Sequence, residues 1–97
     1  MILATKSTDG SLTLKVTGQF NFACYKQFTE AVGGTSAPRY VVDLSGAEYM
    51  DSSALGMLLL LRDKVGQDLS RVQIVSGAGQ PHEVLKLANF HRLFNVV

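Results

Sequence analysis

Asp51-Ser52-Ser53 is the group of side chains in this sequence best placed to do chemistry. A carboxylate beside two hydroxyls, directly ahead of an apolar helical run, puts a phosphorylatable oxygen where a helix begins. Such an end carries unpaired N–H groups and a partial positive charge, so a phosphate on Ser52 is locally favoured and leaves the helix standing. Plain N-capping is the simpler role for these residue types, which favour that position in any case. Other constellations lead nowhere. Asp43 closes a β-favouring run, as the phosphoacceptor of a two-component receiver does, but the early acidic pair for Mg²⁺, the later lysine and the full set of βα units are missing. Ser52 and Ser53 lack the Gly-x-Ser-x-Gly context of a hydrolase elbow. His82 and His91 have no partners at metal-ligand spacing, and Gly77-Ala78-Gly79 is too short for a phosphate-binding fingerprint. A binding protein is expected, with no enzymatic activity, no cofactor and no metal.

The bulk properties agree. A chain of 97 residues with 46% hydrophobic side chains has the size and core material of one domain spanning residues 1–97. Nine basic and eight acidic side chains leave a net charge of +1 without a run of like charge. That balance offers no footprint for nucleic acid or an anionic membrane, so the expected partner is a protein. Cys24 is the single cysteine, which excludes an internal disulfide and suits a reducing compartment; a partly buried thiol is the expectation for it. The N-terminal residues do not resemble a secretory signal, and the longest apolar run, Met57 to Leu61, is far short of the ~20 residues that cross a bilayer. A cytoplasmic location is expected.

The elements that must position the Asp-Ser-Ser follow from local pattern. Ser11 to Val16 alternate in polarity, pointing Leu12, Leu14 and Val16 one way, and Asp9-Gly10 is a hairpin signal that makes Ile2 to Thr5 the antiparallel partner. Phe22 to Val32 has helical spacing, with Asn21 as N-cap and Gly33-Gly34 as stop. Arg39 to Leu44, whose polarity changes too little for an exposed surface strand, reads as a buried central strand ending at Asp43, followed by a short loop. Asp51 or Ser52 caps a second helix running to about Val65, where Gly66 suits its end. Arg71 to Val75 is a further strand, Ser76 to Gly79 a loop, and Pro81 opens a third helix through Ala88. The apolar tail from Phe90 to Val97 must pack against the rest. Strands alternating with helices predict an α/β domain, with helices covering a mixed sheet.

On the second helix, Ala54, Leu58, Leu61 and Val65 fall on one side and Ser52, Gly56, Asp63 and Gln67 on the other. Leu59 and Leu60 flank the polar side, so at least one is expected at the surface beside Ser52. Glycine inside a helix costs roughly 1 kcal/mol relative to alanine. Close approach of a partner's backbone would account for Gly56.

Asp43-Leu44 and Tyr49-Met50-Asp51-Ser52-Ser53-Ala54-Leu55-Gly56 together resemble the STAS family, the fold of bacterial anti-sigma factor antagonists. The closing segment Leu87 to Phe94 resembles that family as well, so the likeness covers essentially the whole chain. The resemblance implies a mixed sheet of four to five strands with helices mainly on one face. It further implies that Ser52 is phosphorylated by an ATP-dependent serine kinase that is also the anti-sigma factor. Unphosphorylated, such a protein sequesters the kinase and frees a sigma factor for transcription; a serine phosphatase restores that form. An interaction module serving a non-sigma partner, in biofilm or motility control or in a sensory assembly, is the alternative. With the helix positions, the resemblance puts Asn21, Met50, Asp51, Ser53, Gly56, Leu59, Leu60 and Asp63 on the partner-binding face, in a monomer or weak dimer. Two segments depart from the family pattern. Ala54 stands for a glycine, and Gly18-Gln19-Phe20-Asn21 stands for Gly-Glu-Leu-Asp, removing both carboxylates.

Overall fold

The computed structural model describes residues 1–34 and 36–97. Its strands are β1 (Ile2–Lys6), β2 (Leu12–Phe20), β3 (Tyr40–Met50), β4 (Val72–Val75) and β5 (Asn95–Val96), and its α-helices are α1 (Tyr25–Gly33), α2 (Ser52–Lys64) and α3 (Gln80–Leu87). Short 3-10 turns at Phe22–Cys24, Leu69–Arg71 and Phe90–Arg92 complete the path. The five strands lie in the order β1-β2-β3-β4-β5, with β1 antiparallel to β2 and every later pair parallel. The apolar tail thus supplies the fifth strand and closes the sheet.

That order places the helices. A parallel crossover is right-handed, and successive crossovers that always step in the same direction put their helices on the same face. On that face Leu12, Leu14, Val16, Tyr40, Val42, Leu44, Val72 and Ile74 form one core with Phe28, Val32, Ala54, Leu58, Leu61 and Leu85 of the helices. Phe20 and Phe28 meet within it, with ring centroids 6.1 Å apart. The opposite face stays partly open, for Thr13, Lys15, Val41, Asp43, Gln73 and Val75 are exposed or half-buried. β3 is therefore buried on one face and half-buried on the other. Its run of valines belongs to a strand that alternates.

The larger correction is its length. Instead of ending at Asp43 and giving way to a loop, β3 continues for eleven residues to Met50. The pairing slips twice: Lys15 faces Asp43 but Thr17 faces Gly46, and Gly18 faces Ala47 while Gln19 faces Tyr49. Each slip gives β3 one extra residue, a β-bulge that switches which residues point inward. Leu44-Ser-Gly-Ala-Glu consequently loses the period-2 pattern of a strand while remaining one. Gly46 fits the bulge because a Cβ there would lie 3.2 Å from Thr17 Cγ2. Gly18, at φ +72°, adopts the left-handed backbone that glycine accepts most easily.

Helix boundaries depart less. Asn21 caps the turn at Phe22 to Cys24, its side chain accepting from the Ala23 N–H, and the α-helix proper begins at Tyr25. α2 ends at Lys64, so Gln67 is not on its polar face; with Gly66 (φ +66°) it turns the chain at φ +62°. Cys24 is buried, its Sγ–H donating to the Gln19 carbonyl at 3.4 Å.

Candidate functional site

Because β2 and β3 are parallel, Phe20 and Met50 arrive side by side, and the chain leaves both strands into helices at the same edge. The Asp51 N–H donates to the Phe20 carbonyl at 3.3 Å, continuing the ladder by one bond before α2 begins. On the other flank β4 has already stopped at Val75, opposite Asp43, and cannot support the end of β3. Gln80, the first residue of α3, takes its place. The Met50 N–H donates to Gln80 Oε1 at 2.9 Å, and Gln80 Nε2 donates to the Met50 carbonyl at 3.1 Å. An amide side chain thereby stands in for a strand. Nothing local in the sequence ties Gln80 to Met50, thirty positions away.

Asp51 is the N-cap of α2, with extended backbone. Its Oδ1 accepts from the N–H groups of Ser53 (3.0 Å) and Ala54 (3.3 Å) and from the Ser53 hydroxyl. The Ser53 hydroxyl, then the Ala54 and Ser53 N–H groups, hold the Asp51 carboxyl below its ordinary value against partial desolvation. Ser53 is half-buried and its O–H is committed. Ser52, the first residue of α2, is exposed, and its hydroxyl bonds to none of the described residues. Geometry thus separates two adjacent serines that residue type alone leaves equivalent.

From Ser52 the exposed face of α2 continues through Gly56, Leu59, Leu60 and Asp63, with Leu60 49% exposed. A Cβ on Gly56 would meet nothing within 4 Å, so no internal contact requires glycine there. Ala54 and Leu58 are fully buried, as the helix pattern predicts, and Met57 joins them. Met50 is only 1% exposed; facing the core beside Phe20, it presents no side chain to a partner and acts as the floor under Asp51. Asn21 is half-buried, and its Nδ2 donates to Gln19 Oε1 at 3.3 Å. The two departures from the family loop thus bond to each other, where two carboxylates would repel. Beside Asn21 stands a feature that sequence reading passed over: Phe22, 70% exposed, stacks on Tyr25 with centroids 5.4 Å apart. Both rings lie at the surface, Phe22 in the 3-10 turn and Tyr25 at the start of α1.

No described helix is long and apolar enough to cross a membrane, and no group of three or more metal-ligating side chains occurs among the described residues.

Residues 3–96 match the model of the family described as "Mlab, STAS domain". A STAS-domain containing protein of Pseudomonas aeruginosa is 40% identical over 98% of this chain and 97% of its own length. Among solved structures, an anti-sigma factor antagonist from Mycobacterium paratuberculosis superposes with a TM-score of 0.85 at 22% identity, covering 99% of this chain and 83% of that one. The anti-sigma factor antagonist SpoIIAA in its unphosphorylated form gives 0.69 at 13% identity, over 90% of this chain and 83% of its own. At those identities the two structures establish the shared fold. With the family match over nearly every residue and a full-length relative at 40% identity, the chain belongs to the STAS domain family.

Proposed function

We propose that this protein is an anti-sigma factor antagonist whose hold on its partner, an anti-sigma factor that is also an ATP-dependent serine kinase, is released by phosphorylation of Ser52 and restored by a serine phosphatase. One observation carries the reading. Ser52 offers an exposed, uncommitted hydroxyl at the start of a thirteen-residue helix, whereas the neighbouring Ser53 hydroxyl is tied to Asp51. The names borne by the structures of like fold support it. The protein then works in the cytoplasm as a monomer or weak dimer, contributing surface and no chemistry of its own. Asp51, Gly56, Leu59, Leu60 and Asp63 surround the acceptor on the contact face, with Asn21 on the adjoining loop.

Incubation with the cognate kinase and ATP should add one phosphate, located on Ser52 by peptide mass spectrometry. Reproducible modification of Ser53, or of no residue in this segment, would remove the assignment.

The exposed Phe22–Tyr25 stack and the uncharged Gln19–Asn21 pair favour a second reading, a STAS module serving a signalling partner other than an anti-sigma factor. Retention by a Ser52→Ala bait of a protein without a kinase fold would select it.

A further inference from the structure

Both histidines, distant from Ser52 in sequence, meet in a second place. Asn89 follows α3 with φ +59° and ψ 31°, a left-handed conformation that asparagine tolerates better than most residues. The turn brings Phe90–Arg92 back over the helix, and the His91 ring meets His82 edge-on, 5.9 Å between centroids at 90°. Beside them lies an open cleft of about 390 Å³ lined by His82, Lys86, Asn89, His91 and Arg92. No carboxylate lines it, and neither Lys86 nor Arg92 makes an ion pair among the described residues. In a chain of net charge +1, this is a local concentration of cations and N–H donors without internal compensation.

Complementing the helix dipole explains part of this, since basic side chains near a helix C-terminus are favoured there. Lys86 fits that role. His82 does not, because it sits in the first turn of α3, far from the C-terminal end. It is also held. Ser76 Oγ, on a residue only 2% exposed, lies 2.9 Å from His82 Nδ1, which leaves Nε2 as the free nitrogen. Lysine supplies a point charge, arginine a planar fork of donors, and the asparagine amide and histidine nitrogens further polar contacts. That set suits the three acceptor oxygens of a phosphate better than the two of a carboxylate. The volume lies at the lower end of the range for small-molecule sites.

We propose that this cleft binds the phosphate group of a small molecule, either free phosphate or a phosphate monoester, independently of the Ser52 face. The test is a nuclear magnetic resonance titration of the full chain at low ionic strength with inorganic phosphate, adenosine monophosphate and adenosine. Saturable shifts centred on His82, Asn89, His91 and Arg92 are expected with both phosphates and not with adenosine. The exposed pair Lys86→Ala and Arg92→Ala together should weaken binding at least tenfold, and Asn89→Gly, which keeps the positive φ accessible, should weaken it while preserving the spectrum elsewhere. Equal affinity for the two phosphates identifies free phosphate as the ligand; tighter monophosphate binding identifies a monoester. Unsaturable shifts spread over all basic side chains, or an undiminished affinity in the double variant, would overturn the site.

Discussion

The segments beginning at Asp51 and Asp68 are built alike and do different things. In each, an aspartate Oδ1 accepts from the N–H of the serine two positions on, at 3.0 Å, and from that serine's hydroxyl. The same arrangement recurs at Asp9-Gly10-Ser11 and Asp43-Leu44-Ser45. All four carboxyls are held below their ordinary value, with the serine hydroxyl as the leading cause. A depressed aspartate in this protein is thus a property of a turn and no mark of function. Two things set Asp51 apart. Its middle residue is Ser52, where the others carry glycine or leucine, and its turn opens a thirteen-residue helix where Asp68 opens three residues of 3-10 turn. Nearby charge differs as well: Arg71, Lys15 and Arg39 assist Asp68, Asp43 and Asp9, and no cation assists Asp51.

The largest effect should come from charging the middle position. Phosphate on Ser52, or Ser52→Asp, meets the positive end of the α2 dipole and leaves the thermal midpoint nearly unchanged. A partner packed over Ser52, Gly56 and Leu60 would have to bury that charge beside an aspartate that no cation compensates. A loss of about 3 kcal/mol weakens affinity over a hundredfold. Calorimetric titration should register that loss with Ser52→Asp and not with Leu69→Asp, which charges the equivalent position of the other turn. Equal losses from both, or an unfolded Ser52→Asp, would dissolve the distinction.

Removing the caps separates the two segments next. Asp51→Ala should cost about 0.5–2 kcal/mol in urea unfolding, the usual range for an N-cap, because α2 carries Ala54, Met57, Leu58 and Leu61 into the core. Asp68→Ala should cost less, since none of Leu69, Ser70 and Arg71 is buried. Equal costs would mean that the turn matters and the helix behind it does not.

Much of this was readable from residue order. The strand at Leu12–Val16, the cap at Asn21, the buried side of α2 and the helix opened by Pro81 all follow from local pattern, which each segment's own periodicity expresses. The far half of β3 was not readable, because two bulges break the alternation by which a strand is recognised. Gln80 beneath Met50 and the meeting of His82 with His91 were also hidden. Both depend on the path of the chain through α3 and the left-handed turn at Asn89, and no spacing rule connects such positions. The Asp-Ser-Ser was visible as a motif, but which serine is free emerged only from hydrogen bonding.

A smaller effect tests whether the exposed face of α2 is shaped for contact. Gly56→Ala meets no atom within 4 Å, so replacing a helical glycine should stabilise the fold by up to roughly 1 kcal/mol. If glycine is there for a partner, the same variant should bind less tightly while melting higher. A more stable variant with unchanged affinity would leave Gly56 without a functional account.

Salt should produce the smallest difference and the most direct test of the comparison. A folded-state pKa below the ordinary 3.8 means that each aspartate contributes stability above that value and loses it as pH falls through the depressed folded pKa. At Asp68 the smallest part of the depression comes from the charge of Arg71, which salt screens. Its carboxyl should therefore move up towards 3.8 in high salt, and its share of stability at neutral pH should shrink. At Asp51 the depression comes from the Ser53 hydroxyl and the N–H groups of Ala54 and Ser53, short contacts without a cation. That titration should stay nearly fixed. Carboxyl carbon shifts followed from pH 7 downwards, at low and at high ionic strength, resolve the two residues in one experiment. If Asp51 moves with salt as far as Asp68 does, a cation attends the start of α2 after all, and a phosphate on Ser52 would be compensated within the protein before any partner had to bury it.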